Sequence, residues 1–232
     1  MKTSNADFDY FHVETFDNKA PVTNSIYVSS GTYDNGTSGD TSDDVSFSLT
    51  YTGVNIIPTD VYGGADLTDY AVAGINLGDS YEVKISTSAG AGVNYFGYWL
   101  SALDAGNTVT FYLDDDFLQS FSAGDVASII GSNPAYAGHP DYPAGANNSR
   151  EPYAFLNFYA KDGQTFNRIV FSQAPATGGG QAGYESDNHT IGFYTRKGDD
   201  ETPVTTVPEP AALALFGLGL VGLGLSRRRK RA

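Results

Sequence analysis

Hydrophobic and polar residues alternate with a period of two along much of the chain. The stretch 45–51 (VSFSLTY) puts Val, Phe, Leu and Tyr on one side and Ser or Thr on the other, which is the pattern of a half-buried strand. The stretch 81–85 alternates in the same way. Three further runs, 95–103, 108–113 and 117–121, are separated by short polar turns and predict a three-stranded meander.

The second half of the chain continues this pattern. The runs 153–160 and 166–172 predict a hairpin, and 184–194 predicts the last strand. In contrast, 61–77 has paired glycines and scattered Asp and is expected to be a loop. Residues 125–130 could form one short helix with Asp125 as its N-cap.

Many short strands between turns rich in Gly and Asn are typical of a two-layered β-fold, and we count about nine or ten of them. We therefore predict an all-β fold, a single antiparallel β-sandwich of jelly-roll type over residues 1–194. Residues 195–206 form a polar linker, and the segment 207–232 follows it.

The C-terminal segment departs from the alternation. It opens with an extended tetrapeptide, since each proline fixes its own φ and keeps the preceding residue out of the helical region. A charge-free apolar run, 211–225, comes next, and a basic tail, 226–231, follows it. The tetrapeptide consists of Val207, Pro208, Glu209 and Pro210. The cations of the basic tail are Arg227, Arg228, Arg229, Lys230 and Arg231.

The apolar run 211–225 is close to the length that crosses a bilayer. A spanning helix needs about 20 apolar residues, or about 17 at the short end, and local thinning or snorkelling can accommodate a shorter one. Cations after a span stay on the cytoplasmic side. We therefore predict one transmembrane helix here, with everything before it outside. The alternative is a buried C-terminal helix of a soluble domain, which five consecutive cations would make costly.

Charge and composition narrow the classes of partner. The formal net charge is −14, to which the tail cations contribute +5, so the rest of the chain carries −19. The part of the chain before the tail, which we call the body, therefore repels nucleic acids and anionic membranes, and we expect no nucleic-acid partner. It is compatible with neutral glycans and with Ca²⁺. The chain has no cysteine, which rules out disulfides and thiolate metal sites.

The order of Pro-Glu-Pro, apolar helix and terminal arginine cluster resembles the PEP-CTERM sorting signal of Gram-negative bacteria. The resemblance implies an exosortase, a membrane-embedded cysteine protease, as the processing partner. It also implies cleavage near Pro208-Glu209-Pro210, a precursor anchored in the inner membrane, and delivery to the cell surface or exopolysaccharide matrix. The order of aromatic strand motifs over 95–194 is similar to that of exosortase-dependent surface proteins, a group with no established activity to carry over.

Export by this route needs an N-terminal signal peptide. Residues 1–11 (MKTSNADFDYF) have no apolar core, so they are not such a leader. We expect a leader upstream of Met1. The alternative is a tail-anchored protein whose body faces the cytoplasm.

Two groups of residues are candidates for binding. Glu185, Asp187 and Asn188 begin the last strand and could bind a structural Ca²⁺ through hard oxygen ligands; the alternative is a solvated turn with local hydrogen bonds. Trp99, and Tyr142 in a Pro-rich loop, could stack on sugar rings. Trp99 shares one strand face with Tyr95, while Phe96 and Tyr98 take the other; burial of both faces between two sheets is the alternative.

These features predict a non-enzymatic, exported protein of the surface or extracellular matrix, sorted and processed by an exosortase. No His-Glu-x-x-His, Gly-x-Ser-x-Gly or phosphate-binding loop is present. The alternative is a carbohydrate-binding β-sandwich module acting on exopolysaccharide, in a biofilm setting. A glycan hydrolase is a third hypothesis, because paired carboxylates come together only in space. No cofactor is expected apart from the structural calcium.

Overall fold

The computed structural model describes residues 7–37, 39–139, 151–161, 163–175 and 182–196. Of residues 195 and 196 it describes only the main chain. Strands dominate this part of the chain, which also contains one α-helix and two short 3₁₀ turns, Ala65–Leu67 and Pro134–Tyr136. The strands and the helix are β1 (Asp7–Glu14), β2 (Val22–Tyr33), β3 (Val45–Ile57), β4 (Tyr70–Gly74), β5 (Ser80–Thr87), β6 (Tyr95–Ser101), β7 (Asn107–Leu113), β8 (Asp116–Ser122), α1 (Ala123–Ile130), β9 (Ala154–Tyr159), β10 (Arg168–Gln173) and β11 (Gly183–Arg196).

All strand pairings are antiparallel, which confirms the predicted all-β, antiparallel class. The strands form one sheet in the order β8-β7-β10-β5-β3-β4-β11-β6-β9, while β1 pairs with β11 and β2 with β3. The sheet curls into a half-barrel. Its two halves meet through β4, which pairs with β3 on one side and β11 on the other. The strands therefore form one continuous curled sheet, and not the two separate sheets of the predicted jelly-roll sandwich.

Aromatic side chains fill the space between the two halves. The ring of Phe96 in β6 lies 6.2 Å from that of Phe111 in β7 and 6.0 Å from that of Phe171 in β10. The predicted alternation in β3 is confirmed, because Phe47, Leu49 and Tyr51 are all buried. Burial of this much aromatic surface is the main favourable contribution to folding.

Strand β4 corrects the prediction that 61–77 is a loop. All five of its residues are buried, so the strand has no polar face and shows no alternation in sequence. The helix α1 corrects a second detail, since Ser122 rather than Asp125 is the N-cap. Ser122 Oγ accepts a hydrogen bond from Asp125 N, and Ser122 N donates to Asp125 Oδ2 at 2.7 Å, which together form a capping box.

No helix among the described residues is long and apolar enough to cross a bilayer. The predicted transmembrane helix 211–225 lies outside these residues, as do the motif 207–210 and the basic tail 226–231. Strand β11 ends at Arg196 and so enters the stretch predicted as linker by two residues.

Candidate functional site

The outer face of β6 carries the only tryptophan. Phe96 and Tyr98 point into the core, where each lies near the Phe171 ring. Trp99 lies on the opposite face and is half-buried. The other residues on that face, Tyr95 and Ser101, are buried, so the predicted alternative of two buried faces describes most of β6, and Trp99 is its one half-buried residue.

Trp99 belongs to an aromatic band that runs onto the neighbouring strand. Its ring lies 5.9 Å from Tyr153 and 5.6 Å from Phe155, which is opposite Trp99 in the register of β6 and β9. The exposed Asn157 extends this band and accepts a hydrogen bond of 2.7 Å from Tyr95 Oη. Aromatic rings beside an amide are suited to bind sugars. The rings can stack on the faces of pyranose rings, and the amide can form hydrogen bonds with the sugar hydroxyls. Tyr142 lies outside the described residues.

The acidic residues of β11 lie on the same side of the sheet as Trp99. Asp187 is opposite Trp99, and Glu185 is opposite Ser101. Both carboxylates are buried, Glu185 with 3% of its surface exposed and Asp187 with none. The predicted alternative of a solvated turn therefore does not describe them, although one local bond of that kind is present, from Asn188 N to Asp187 Oδ1 at 2.6 Å.

The predicted calcium ligands face different surroundings. The carboxylates near Glu185 are Asp104, Glu151 and Asp60. The carboxylates near Asp187 are Asp17 and Asp66, and the main chain of Ala65 donates to it. Asn188 is also buried and has a φ of 51°, at a β-bulge between residues 187 and 190. Within the described ranges, no three His, Cys, Asp or Glu side chains are grouped as a metal centre.

Burial dominates the electrostatics of these acids. It raises the pKa of Asp187 to about 8, against the effect of backbone hydrogen bonds from Asn188 and Ala65. Burial also raises the pKa of Glu185 well above its usual value, and the neighbouring carboxylates add to the shift. One oxygen of each carboxylate, Glu185 Oε2 and Asp187 Oδ2, makes no hydrogen bond within the described ranges, and neither does Ser101 Oγ.

A polar network around His189 lies inside the core. His189 Nε2 is 3.0 Å from Ser186 Oγ, and Nδ1 is 3.3 Å from Tyr51 Oη. Tyr81 Oη is 2.6 Å from the same serine hydroxyl. Burial lowers the pKa of His189 to about 3. Ser186 and His189 are almost fully buried, so both side chains bond to other core groups. The network is not visible in the sequence, because Tyr51 and Tyr81 lie more than a hundred residues before Ser186 and His189.

A surface groove of about 280 Å³ opens at the ends of β1, β2 and β3. The rings of Tyr10, Tyr33 and Phe193 line it, together with the carboxylates of Asp9 and Asp43. Hydrogen bonds from Thr37 and Asn35 lower the pKa of Asp43. Rings beside carboxylates are a second surface suited to hydroxyl-rich ligands, and sequence analysis did not single it out.

These features define a class of protein, an acidic, cysteine-free antiparallel β-domain followed by an apolar and basic tail. Residues 206–230 match the PEP-CTERM protein-sorting motif, so the suspected resemblance is confirmed and the chain carries this sorting signal. The motif implies export, a membrane-anchored precursor and processing by an exosortase. The match covers the tail and not the β-domain. No curated protein and no solved structure matches the chain.

Proposed function

We propose that this chain is an exported, non-enzymatic protein of the cell surface or extracellular matrix, released from its membrane anchor by an exosortase. The observation that carries the proposal is the sorting motif at residues 206–230. The strong negative charge of the body supports an exterior location, because such a body does not adhere to anionic membranes after its release.

Replacing Pro208, Glu209 and Pro210 by alanine should block processing. We expect the full-length precursor to accumulate in the membrane fraction, with a loss of at least about tenfold in the mature surface form, because the extended recognition segment is lost. The measurement is an immunoblot of membrane and surface fractions against an epitope inserted near the N-terminus.

The matched control is Pro203→Ala, which removes a proline just before the motif and should leave processing unchanged. Equal processing of the triple variant and the parent would contradict the proposal. The proposal would also be contradicted if the precursors of both the parent and the triple variant were found in the soluble fraction.

A second candidate function is carbohydrate binding, with the exopolysaccharide as the ligand. The specific observation that favours it is the band of Trp99, Tyr153 and Phe155 on the outer face of the sheet, beside the exposed Asn157. A sugar ring stacked on aromatic rings is stabilised by burial of its apolar face.

Trp99→Ala should reduce binding to purified exopolysaccharide by about tenfold, because loss of a stacking ring removes about 1–3 kcal/mol. Affinity electrophoresis in gels containing the polysaccharide measures the effect. The matched control is Phe117→Ala, since Phe117 is 62% exposed on β8, away from the band. Equal retardation of the parent and the Trp99 variant would exclude this face as the ligand site.

A further inference from the structure

Two buried oxygen atoms without hydrogen bonds lie on directly opposite residues. Glu185 of β11 pairs in register with Ser101 of β6. Glu185 Oε2 and Ser101 Oγ are both buried, in residues that are only 3% and 1% exposed, and neither makes a hydrogen bond to any of the described residues. A buried polar atom that lacks a partner carries the full cost of its desolvation, and this cost is larger if the atom is charged. Folded proteins therefore satisfy such atoms with a protein group, a water or an ion.

A second carboxylate converges on the same place. Asp104 Oδ2 accepts a hydrogen bond of 2.8 Å from Gly183 N. A Cβ atom built on Gly183 would clash with Glu185 Oε1, so the Glu185 carboxylate lies directly against the same glycine. Asn107 Nδ2 fixes Gly183 from its carbonyl side at 2.7 Å. The loop between β6 and β7 thus brings Asp104 to Glu185 at a defined position.

Within the part of the chain that the structure describes, the charged groups that act on Glu185 are the carboxylates of Asp104, Glu151 and Asp60. Like charges at close range in a buried setting repel each other strongly. A cation bound between them would turn this repulsion into attraction and would supply the ligand that the unpartnered oxygens lack.

We propose that Glu185, Asp104 and Ser101 bind a calcium ion at the junction of β6, β11 and the β6–β7 loop. The donors are all oxygen, which favours Ca²⁺ over metals that prefer nitrogen or sulfur. Calcium accepts six to eight such ligands in flexible geometry, whereas Mg²⁺ needs a near-ideal octahedron. Two carboxylates and one hydroxyl supply only part of the six to eight ligands. Main-chain oxygens and water complete the coordination shell.

This site revises the calcium prediction made from the sequence. It keeps Glu185, but its other ligands come from β6 and the loop after it. Asp187 is left out because the carboxylates near it are different ones, those of Asp17 and Asp66. The ion would link the β6–β7 loop to the first residues of β11, so its binding stabilises the fold. The inference is independent of the sorting signal.

The test compares thermal unfolding of the full chain in detergent, with EDTA or with millimolar CaCl₂. We expect calcium to raise Tm by about 3–8 °C, because a ligand that binds only the folded state stabilises it in proportion to its saturation. Glu185→Gln should lose this rise and should be more stable than the parent in EDTA, since a buried carboxylate is removed. Asp116→Asn, at an exposed acid of β8, should keep the rise in full.

A second variant and a second measurement test the same site, so the result does not depend on Glu185→Gln alone. Ser101→Ala changes a single hydroxyl and should weaken terbium binding, followed by luminescence sensitised by Tyr and Trp, by about tenfold. An unchanged Tm on addition of calcium would overturn the proposal. An equal rise with MgCl₂ at matched ionic strength would also overturn it, since it would show general screening of an acidic body. Retention of the calcium effect in Glu185→Gln would do the same.

Discussion

Replacing Phe171 with alanine should lower the free energy of unfolding by about 4 kcal/mol, within the range measured for removal of a buried aromatic ring. Phe171 is fully buried. Its ring lies 4.8 Å from Tyr81, 5.1 Å from His189 and 5.2 Å from Tyr184, and thus joins both halves of the sheet. Each aromatic pair contributes about 0.5–1.5 kcal/mol beyond area burial. The measurement is urea unfolding followed by the fluorescence of Trp99.

Phe117→Ala is the control, because its ring is 62% exposed and should contribute less than about 0.5 kcal/mol. Phe171→Leu keeps most of the volume and should cost less than the alanine variant, which separates the cavity from the loss of ring contacts. A loss below about 1.5 kcal/mol for Phe171→Ala would contradict the central position that the structure gives to this ring.

The β-class could be predicted because most strands have one buried face. In β3 the alternation of Phe47, Leu49 and Tyr51 with Ser and Thr is visible in the sequence, since the polar side meets solvent. In β4 every residue is buried, so the alternation that identifies a strand is lost. For this reason the sequence of β4, which joins the two halves of the sheet, predicts a loop and not a strand.

The candidate site was predicted in part. The face of Trp99 follows from alternation alone, since it depends only on local geometry. The burial of Glu185 and Asp187 does not, because it depends on the segment around Ala65, which reaches Asp187 from more than a hundred residues earlier in the chain. Ser101 and Glu185 become partners only through the register of β6 and β11, and a bulge between residues 187 and 190 shifts that register.

His189 shows the same limit in the core. In the sequence His189 is far from the other two histidines, yet in the structure it stacks at 12° on the Phe171 ring and contacts Tyr51 and Ser186. Burial is the cause of its low pKa, about 3 compared with 6.5 for an exposed imidazole. The folded protein therefore holds a neutral histidine over a pH range in which the unfolded chain would protonate it.

This difference predicts a loss of stability in acid. Between pH 6.5 and 3 only the unfolded state takes up the proton on His189, so the contribution is fully present above pH 6.5 and is lost as the pH falls toward 3. The slope is about 1.4 kcal/mol per pH unit, and the total is about 5 kcal/mol. His189→Gln cannot titrate and should remove this slope. The measurement is the urea midpoint of both proteins at a series of pH values from 7 to 3.

The parent and His189→Gln must be compared because buried acids change the stability with pH in the opposite direction to His189. The carboxyl of Asp187, whose pKa is about 8, makes the fold more stable as the pH falls from 8 toward 4. This contribution is present in both proteins, so it cancels in their difference. His12→Gln is the matched control, since His12 is only half-buried and its variant should change the slope much less. If the parent and His189→Gln showed parallel pH profiles, a neutral, solvent-excluded His189 would be contradicted, because the difference between their stabilities would then be the same at every pH.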